Sequence, residues 1–412
     1  MKQPISEIKV GLDFGKEVLP VGRLAAREGV IYFEYHASFI QSGLEISPLR
    51  LPLQSGVTEL PRRPFEGLAG VFGDSLPDGW GRLLFDRLMR SQGVLPSDIT
   101  PLDRLAHVGL HGMGALVYEP DYSATEMDGT INLDQLAIQA EEVLNGSSED
   151  VIQELLALNG SSAGARPKAL IAVNKDRKNI SHGAKQLEQD FEPWLVKFPN
   201  SQDGPDAGAI EYVYALMAKE AGVSMPEVHL FPSQKGGGYF AVRRFDRDGA
   251  TRYHMHTAAG LLHSDFRAPS LDYEDLLNLT AVLTKDAREV EKMYRLAVFN
   301  VLAHNRDDHA KNFSFLMDET GEWKLSPAYD LTFSGGPNGE QSTMVMGEGR
   351  NPTEKQLIKL GLEAKLSKTL IDNVIGQTKQ ALQQWGHLAR EHKVNKDNID
   401  LIGLKLTQIH KI

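Results

Sequence analysis

The chain has 412 residues, 41% of them hydrophobic and 24% charged, enough to bury more than one core and ordinary for a soluble globular protein. A net charge of −11 argues against a free, sequence-independent DNA binder, while leaving room for a local basic patch or for DNA contact through a partner. With no cysteine there is no disulfide, thiolate catalysis or Cys-ligated zinc; with no basic leader and no long apolar run, a cytoplasmic protein with no membrane span is expected.

Residues 1–120 read as a mostly β module. Val18 to Ala25 and Val30 to His36 are strands, with Glu28-Gly29 as the hairpin turn between them. Phe72-Gly73-Asp74-Ser75-Leu76-Pro77-Asp78-Gly79-Trp80 is dense in turn formers. It leads into a helix from Gly81 to Gln92, closed by Gly93, and a short helix starts at Pro101. The glycine-rich crossing Gly109 to Ala115 enters the strand Leu116 to Tyr118.

Residues 121–247 mix helices and strands. Helix Asn132 to Leu144 comes first, then a small polar stretch, Asn159 to Lys168, before the strand Ala169 to Val173. Lys175 to Gln189 reads as an exposed loop, Glu192 to Phe198 as a strand, and Ala209 to Ala221 as an amphipathic helix. Glu227 to Phe231 and Tyr239 to Phe245 form a hairpin across three glycines.

Residues 248–412 turn helical. Glu289 to His304 is apolar nearly all round and is expected to be buried. A glycine-rich loop runs from Gly335 to Gly349, Thr353 and Gln356 form a capping box, and one long helix covers Ser367 to Glu391. The expected fold class is α+β: a bilobal protein-kinase-like fold with a mixed β/α N-terminal part and a mostly helical C-terminal lobe.

Asp307 and Asn312 have four residues between them, the spacing of a kinase catalytic loop, in which the Asp receives the acceptor's proton and the Asn holds Mg²⁺. Asp330 follows one hairpin later, where a second metal-binding acid is required. A phosphate cradle is available in Ser161 to Lys168, whose small residues let backbone N–H groups approach phosphate. Lys197 lies on an apolar strand, with Glu211 on the next helix as its partner. Arg243-Arg244-Phe245 ends the last strand of that lobe, where an adenine hinge would lie.

Each signal taken singly has a plainer reading. Ser161 to Lys168 lacks the Walker A pattern and could be only a loop. Lys197 could snorkel to the surface, and Asp307-Asp308 could be a solvated turn. His309, without cysteines or a second histidine one turn away, is better placed to hydrogen-bond its own loop than to hold zinc. The ordered set favours phosphoryl transfer.

The chain resembles the HipA family, the serine/threonine-kinase toxins of bacterial type II toxin–antitoxin systems. The likeness is carried by Phe72 to Arg82 and Gly109 to Pro120 in the N-terminal module. In the kinase core it is carried by Gly164 to Lys168, Lys197 to Pro199, Arg244 to Arg247, Asp307 to Asn312 and Pro327 to Asp330. The resemblance implies that Asp307 is the catalytic base, that Asn312 and Asp330 hold Mg²⁺, and that Lys197 contacts the phosphates of ATP. It implies a phosphate loop of Ala163, Gly164, Ala165, Arg166, Pro167 and Lys168, and an adenine hinge at Arg243, Arg244 and Phe245. Glu211, His309, Lys311 and Tyr329 complete the expected nucleotide site.

Ser161 lies where family members autophosphorylate, with Ser162 the close alternative. A phosphate there would repel the nucleotide. The resemblance also implies a small helix-turn-helix antitoxin as partner, operator DNA reached through it, and a protein substrate of the aminoacyl-tRNA synthetase kind. Two positions depart from the pattern: Arg243 stands where some members carry an acid, and Arg166-Pro167 where others have Gln-Glu. Two other classes fit parts of the chain: a co-repressor with a vestigial kinase core, and a small-molecule kinase sharing the catalytic-loop spacing.

Overall fold

The computed structural model describes residues 5–123, 129–146, 149–159, 164–182, 190–200 and 204–409. An antiparallel five-stranded sheet opens the chain, in the spatial order Val57–Glu59, Val30–Tyr35, Val18–Arg27, Glu7–Asp13, Leu116–Glu119. The strand Glu7–Asp13 was not anticipated. Its alternation buries Ile8, Val10 and Leu12. At the hairpin tip Glu28 and Gly29 both have positive φ, 53° and 75°, the conformation that matches the twist of a two-residue hairpin.

A second antiparallel sheet forms the upper lobe, in the order Ile180–His182, Lys168–Asn174, Phe191–Lys197, Tyr239–Arg243, Val228–Phe231. Ile180–His182 lies inside the segment read from sequence as loop. Asn174 makes that edge strand possible, because its side chain accepts the backbone N–H groups of Lys178 and Asn179 and folds the chain back. Residues 183–189 lie outside the described set.

Helix Gly79–Ser91 starts in the N-terminal module but buries Trp80, Leu84, Phe85 and Leu88 in one core with the second sheet and the helix Leu133–Asn145. The first sheet in turn shares its core with the helical lobe. That joint is tight: a Cβ on Gly70 would fall 2.3 Å from the carbonyl oxygen of Gly260. Asp74 crosses it, accepting from the backbone N–H and hydroxyl of Thr257 (2.7 Å each), with the His256 ring 2.6 Å away.

In the helical lobe, Ala287–Leu302 is buried along most of its length, as its composition predicts, and the capping box at Thr353 and Gln356 is present. The expected long helix over 367–391 is two, Lys368–Leu382 and Trp385–Glu391, followed by an unforeseen third, Lys396–Ile409. The break lets Trp385 turn inward. Its ring lies 5.8 Å from that of Tyr214, and its Nε1–H donates to the Ile399 carbonyl at 3.0 Å. A three-stranded antiparallel sheet, His254–Thr257, Ser314–Met317 and Trp323–Leu325, supports the loop that carries Asp307.

Candidate active site

Three elements bring three of the anticipated residues into one cluster. Lys197 ends the strand Phe191–Lys197, Glu211 lies one turn into the helix Ala207–Glu220, and Asp330 follows the hairpin of the lower sheet. The Lys197 ammonium donates to both Glu211 Oε1 and Asp330 Oδ1, tying the two lobes together through one nitrogen. Arg166 holds the other oxygen of Glu211 at 3.3 Å. Lys168 pairs directly across the strands with Lys197 and is 4% exposed.

This is a dense charge cluster, and burial alone would neutralise it. Burial works against the Lys197 ammonium, but the Asp330 and Glu211 carboxylates overcome it and raise its pKa. Burial likewise opposes ionisation of Asp330, yet Lys197 and Lys168 hold that carboxyl well below the usual range. Burial and then the charge of Lys197 bring Lys168 down to about 8. Asp330 adopts a left-handed backbone, φ 59°, which few non-glycine residues do.

The catalytic-loop candidate begins where the helix Ala287–Leu302 ends. Asp307 keeps 58% of its side-chain surface open, while Asp308 is 1% exposed, so the loop sits at the edge of the core. Asp307 is pushed up by the protein mass around it and by Asp330, with His309 pulling the other way. The Asn312 amide nitrogen donates to the Asp307 carbonyl at 2.7 Å, so the side-chain oxygen is the atom left to act as a ligand.

Asp308 is the loop's anchor, a role that nothing in its local sequence marks. Its carboxylate accepts from Tyr273 Oη (2.6 Å), Gln341 Nε2 (2.9 Å), Ser342 N (2.9 Å) and Thr343 N (3.2 Å). Burial still outweighs these donors and lifts its pKa to about 6. Asn300 and Asn305 extend the network behind Tyr273.

The remaining anticipated residues separate. Tyr329 donates to the Lys311 carbonyl at 2.6 Å, and its ring lies 5.5 Å from that of Phe245. Arg243 reaches Glu192 at 3.1 Å. The Arg244 guanidinium is buried on Asp246 (2.9 and 2.7 Å) and near the Gly112 carbonyl, in the joint with the N-terminal module, and its backbone N–H goes to Pro193. His309 does not hydrogen-bond its own loop as expected. Its Nε2 is 4.0 Å from Asp307, its ring lies 5.4 Å from that of Phe266, and Nδ1 is buried with no partner among the described residues.

The Lys311 ammonium meets Asp78 of the N-terminal module at 3.0 Å. Burial opposes the Asp78 charge, but Lys311 and Arg267 keep its pKa below normal. Ser161, Ser162 and Ala163 lie outside the described residues, and the segment expected to be a phosphate loop is described from Gly164 onward. Gly164 and Pro167 both use their carbonyls, accepting from Trp80 N at 3.0 Å and Phe198 N at 2.8 Å.

A five-stranded lobe, a helical lobe, and a lysine–glutamate–aspartate junction between them define a kinase-like fold. The chain belongs to the HipA family: the HipA-like C-terminal domain matches residues 160–385 and the HipA N-terminal domain residues 16–119. The putative kinase Y4mE of Sinorhizobium fredii is 25% identical over 394 residues, 86% of this chain and 87% of its own. The serine/threonine-protein kinase toxin HipA of Shewanella oneidensis is 24% identical over 345 residues, 76% of this chain and 72% of its own. The putative kinase Y4dM of Sinorhizobium fredii is 27% identical over 205 residues, about half of either chain (45% and 49%). Among solved structures, the Shewanella oneidensis complex of HipA, HipB and operator DNA superposes with a TM-score of 0.68 at 18% identity, covering 98% of this chain and 95% of the other. That likeness extends the shared fold to nearly the whole chain.

Proposed function

We propose that this chain is an ATP-dependent serine/threonine protein kinase and the toxin of a toxin–antitoxin pair. The observation that carries the proposal is the Lys197 ammonium held between Glu211 and Asp330, beside a loop with Asp307 and Asn312. Lys197, oriented by Glu211, contacts the nucleotide's phosphates, and Arg166 and Lys168 add positive charge to that side of the cleft. Arg243 and Phe245 border the adenine, while Arg244 acts there through its backbone position only.

Mg²⁺ fits the donors present. The Asp330 carboxylate and the Asn312 amide oxygen are two hard oxygen ligands, and Mg²⁺ completes its shell with phosphate and water rather than an all-protein cage. Bound there, it would neutralise phosphate charge. Asp307 accepts the proton of the acceptor's Ser or Thr hydroxyl as that oxygen attacks the γ-phosphorus; the bond from the γ-phosphorus to the bridging oxygen breaks, and ADP leaves with the electron pair.

A polypeptide acceptor is the reading favoured over a free metabolite because the N-terminal module, which a small-molecule kinase has no use for, is built into the cleft wall. The target class, a translation component such as an aminoacyl-tRNA synthetase, rests on the family resemblance of the sequence motifs. The solved complex of HipA with HipB and operator DNA supports a HipB-like antitoxin, which we take to be a helix-turn-helix protein, with operator DNA contacted through that partner rather than by this acidic chain. Ser161 or Ser162 would be the autophosphorylation site that turns the kinase off. Phosphosite mapping in cells expressing the native chain and Asp307→Asn tests the proposal. Sites present with the first and missing with the second are expected; identical phosphoproteomes refute it.

A further inference from the structure

Three consecutive residues of the N-terminal module touch both working loops of the cleft. Asp78 ion-pairs with Lys311, the residue before Asn312, at 3.0 Å, and both side chains are largely buried (17% and 10% exposed). Arg267 closes on Asp78 from the other side at 3.5 Å. One residue on, Gly79 lies so close to the phosphate loop that a Cβ would fall 2.4 Å from the Gly164 carbonyl oxygen. Its φ of +46° also disfavours a side chain. The next residue, Trp80, donates its backbone N–H to that same Gly164 oxygen at 3.0 Å, while its ring, 1% exposed, is fixed in the upper-lobe core.

The contact continues toward the metal-binding acid. The Lys311 carbonyl accepts from Tyr329 Oη at 2.6 Å, and Tyr329 immediately precedes Asp330. Asp78 also accepts from Gly79 N at 2.9 Å, so the turn is braced at the start of its own helix. A rigid strut with one end on the phosphate loop and the other on the catalytic loop fixes their spacing, and transfer rates depend steeply on such spacing.

We propose that the Asp78–Trp80 turn is a positioning element of the active site, contributed by the N-terminal module, which sets the phosphate loop against the catalytic loop. The kinase core is then incomplete without residues 1–120. This rests on the kinase reading above for its effect on rate, but not for its effect on loop order.

The full-length protein tests both. Asp78→Asn keeps an oxygen to cap the helix and removes the charge facing Lys311. It should lower kcat for phosphoryl transfer about tenfold and leave the ATP KM within about twofold. Lys311→Met should do the same, and the double variant should be no worse than either single, because both cut one contact. Gly79→Ala, pressing on Gly164, should instead weaken Mg-ATP binding about tenfold by calorimetry.

Without nucleotide, hydrogen exchange over residues 307–312 should speed up in Asp78→Asn, including the Asn312 amide that donates to His309. Losses that multiply in the double variant, or wild-type exchange over 307–312 in Asp78→Asn, overturn the inference. A native protein that binds no Mg-ATP overturns the kinase reading instead, and the exchange comparison then decides the strut by itself.

Discussion

Lys168 and Lys197 stand directly across from each other on neighbouring antiparallel strands, one lysine buried and one largely so, near the acids Glu211 and Asp330 and the Arg166 guanidinium. Like charges in that position repel, and a sheet tolerates them only when something else demands both. A triphosphate is such a demand. In its absence burial and the neighbouring Lys197 charge weigh on the Lys168 ammonium more than Asp330 and Glu211 offset.

That cost makes the first prediction. Lys168 titrates at about 8 in the folded chain instead of 10.5, so the native state releases its proton before the unfolded state does. The unfolded chain binds more protons between pH 8 and 10.5, and stability contributed by this group rises over that window. At pH 7 the buried charge costs on the order of 3 kcal/mol. Lys168→Met should therefore raise the melting temperature of the nucleotide-free protein and weaken Mg-ATP binding. Paired thermal melts and calorimetry check it; a variant that melts lower and binds ATP normally would assign Lys168 to structure.

Glu211 ion-pairs with both Arg166 and Lys197. Glu211→Gln takes an anion from the largely buried Lys197 and from the half-buried Arg166, and breaking a buried pair typically destabilises by about 3–5 kcal/mol. It should lower the melting temperature by several degrees and kcat/KM by about a hundredfold or more. Denaturant titration and steady-state kinetics on the same preparation test it, and a variant as stable as the native protein contradicts the pairing.

Asp308 makes a prediction of opposite sign in pH. Its folded pKa of about 6 is above the ordinary 3.8, so the folded state holds this proton longer. Stability contributed by the group is highest below about pH 4 and falls as pH rises to 6. Asp308→Asn should abolish that slope. It also places an amide among the four donors, costing about 1–3 kcal/mol at neutral pH. Urea titrations at pH 4.5 and 6.5 measure both effects; an unchanged difference between the two would refute the assignment.

Much of this site is readable along the chain because its signals are local. The spacing of Asp307 and Asn312 belongs to one loop, and an apolar strand ending in Lys197 precedes a helix carrying Glu211. What stayed hidden is the placement of side chains by distant partners. Asp308 looks like its neighbour Asp307 in sequence, and only the Gln341–Thr343 segment, read as part of a plain glycine-rich loop, makes it an anchor.

Asp78 and Lys311 are 233 positions apart, and no periodicity joins them. Arg244 reads as a hinge residue by its position at a strand end, yet Asp246, two residues on, takes its guanidinium. The split of the long C-terminal helix follows from where Trp385 must go, which is a property of the Tyr214 surface and not of helix propensity.

The central claim is that Asp307 removes the acceptor's proton while Lys197, Asn312 and Asp330 hold the nucleotide. The most direct test measures phosphate incorporation and Mg-ATP affinity together, for the purified native chain and for Asp307→Asn. Transfer reduced by about a thousandfold or more, with ATP affinity and melting temperature close to native, is the predicted result. Equal incorporation by the two proteins would contradict the account.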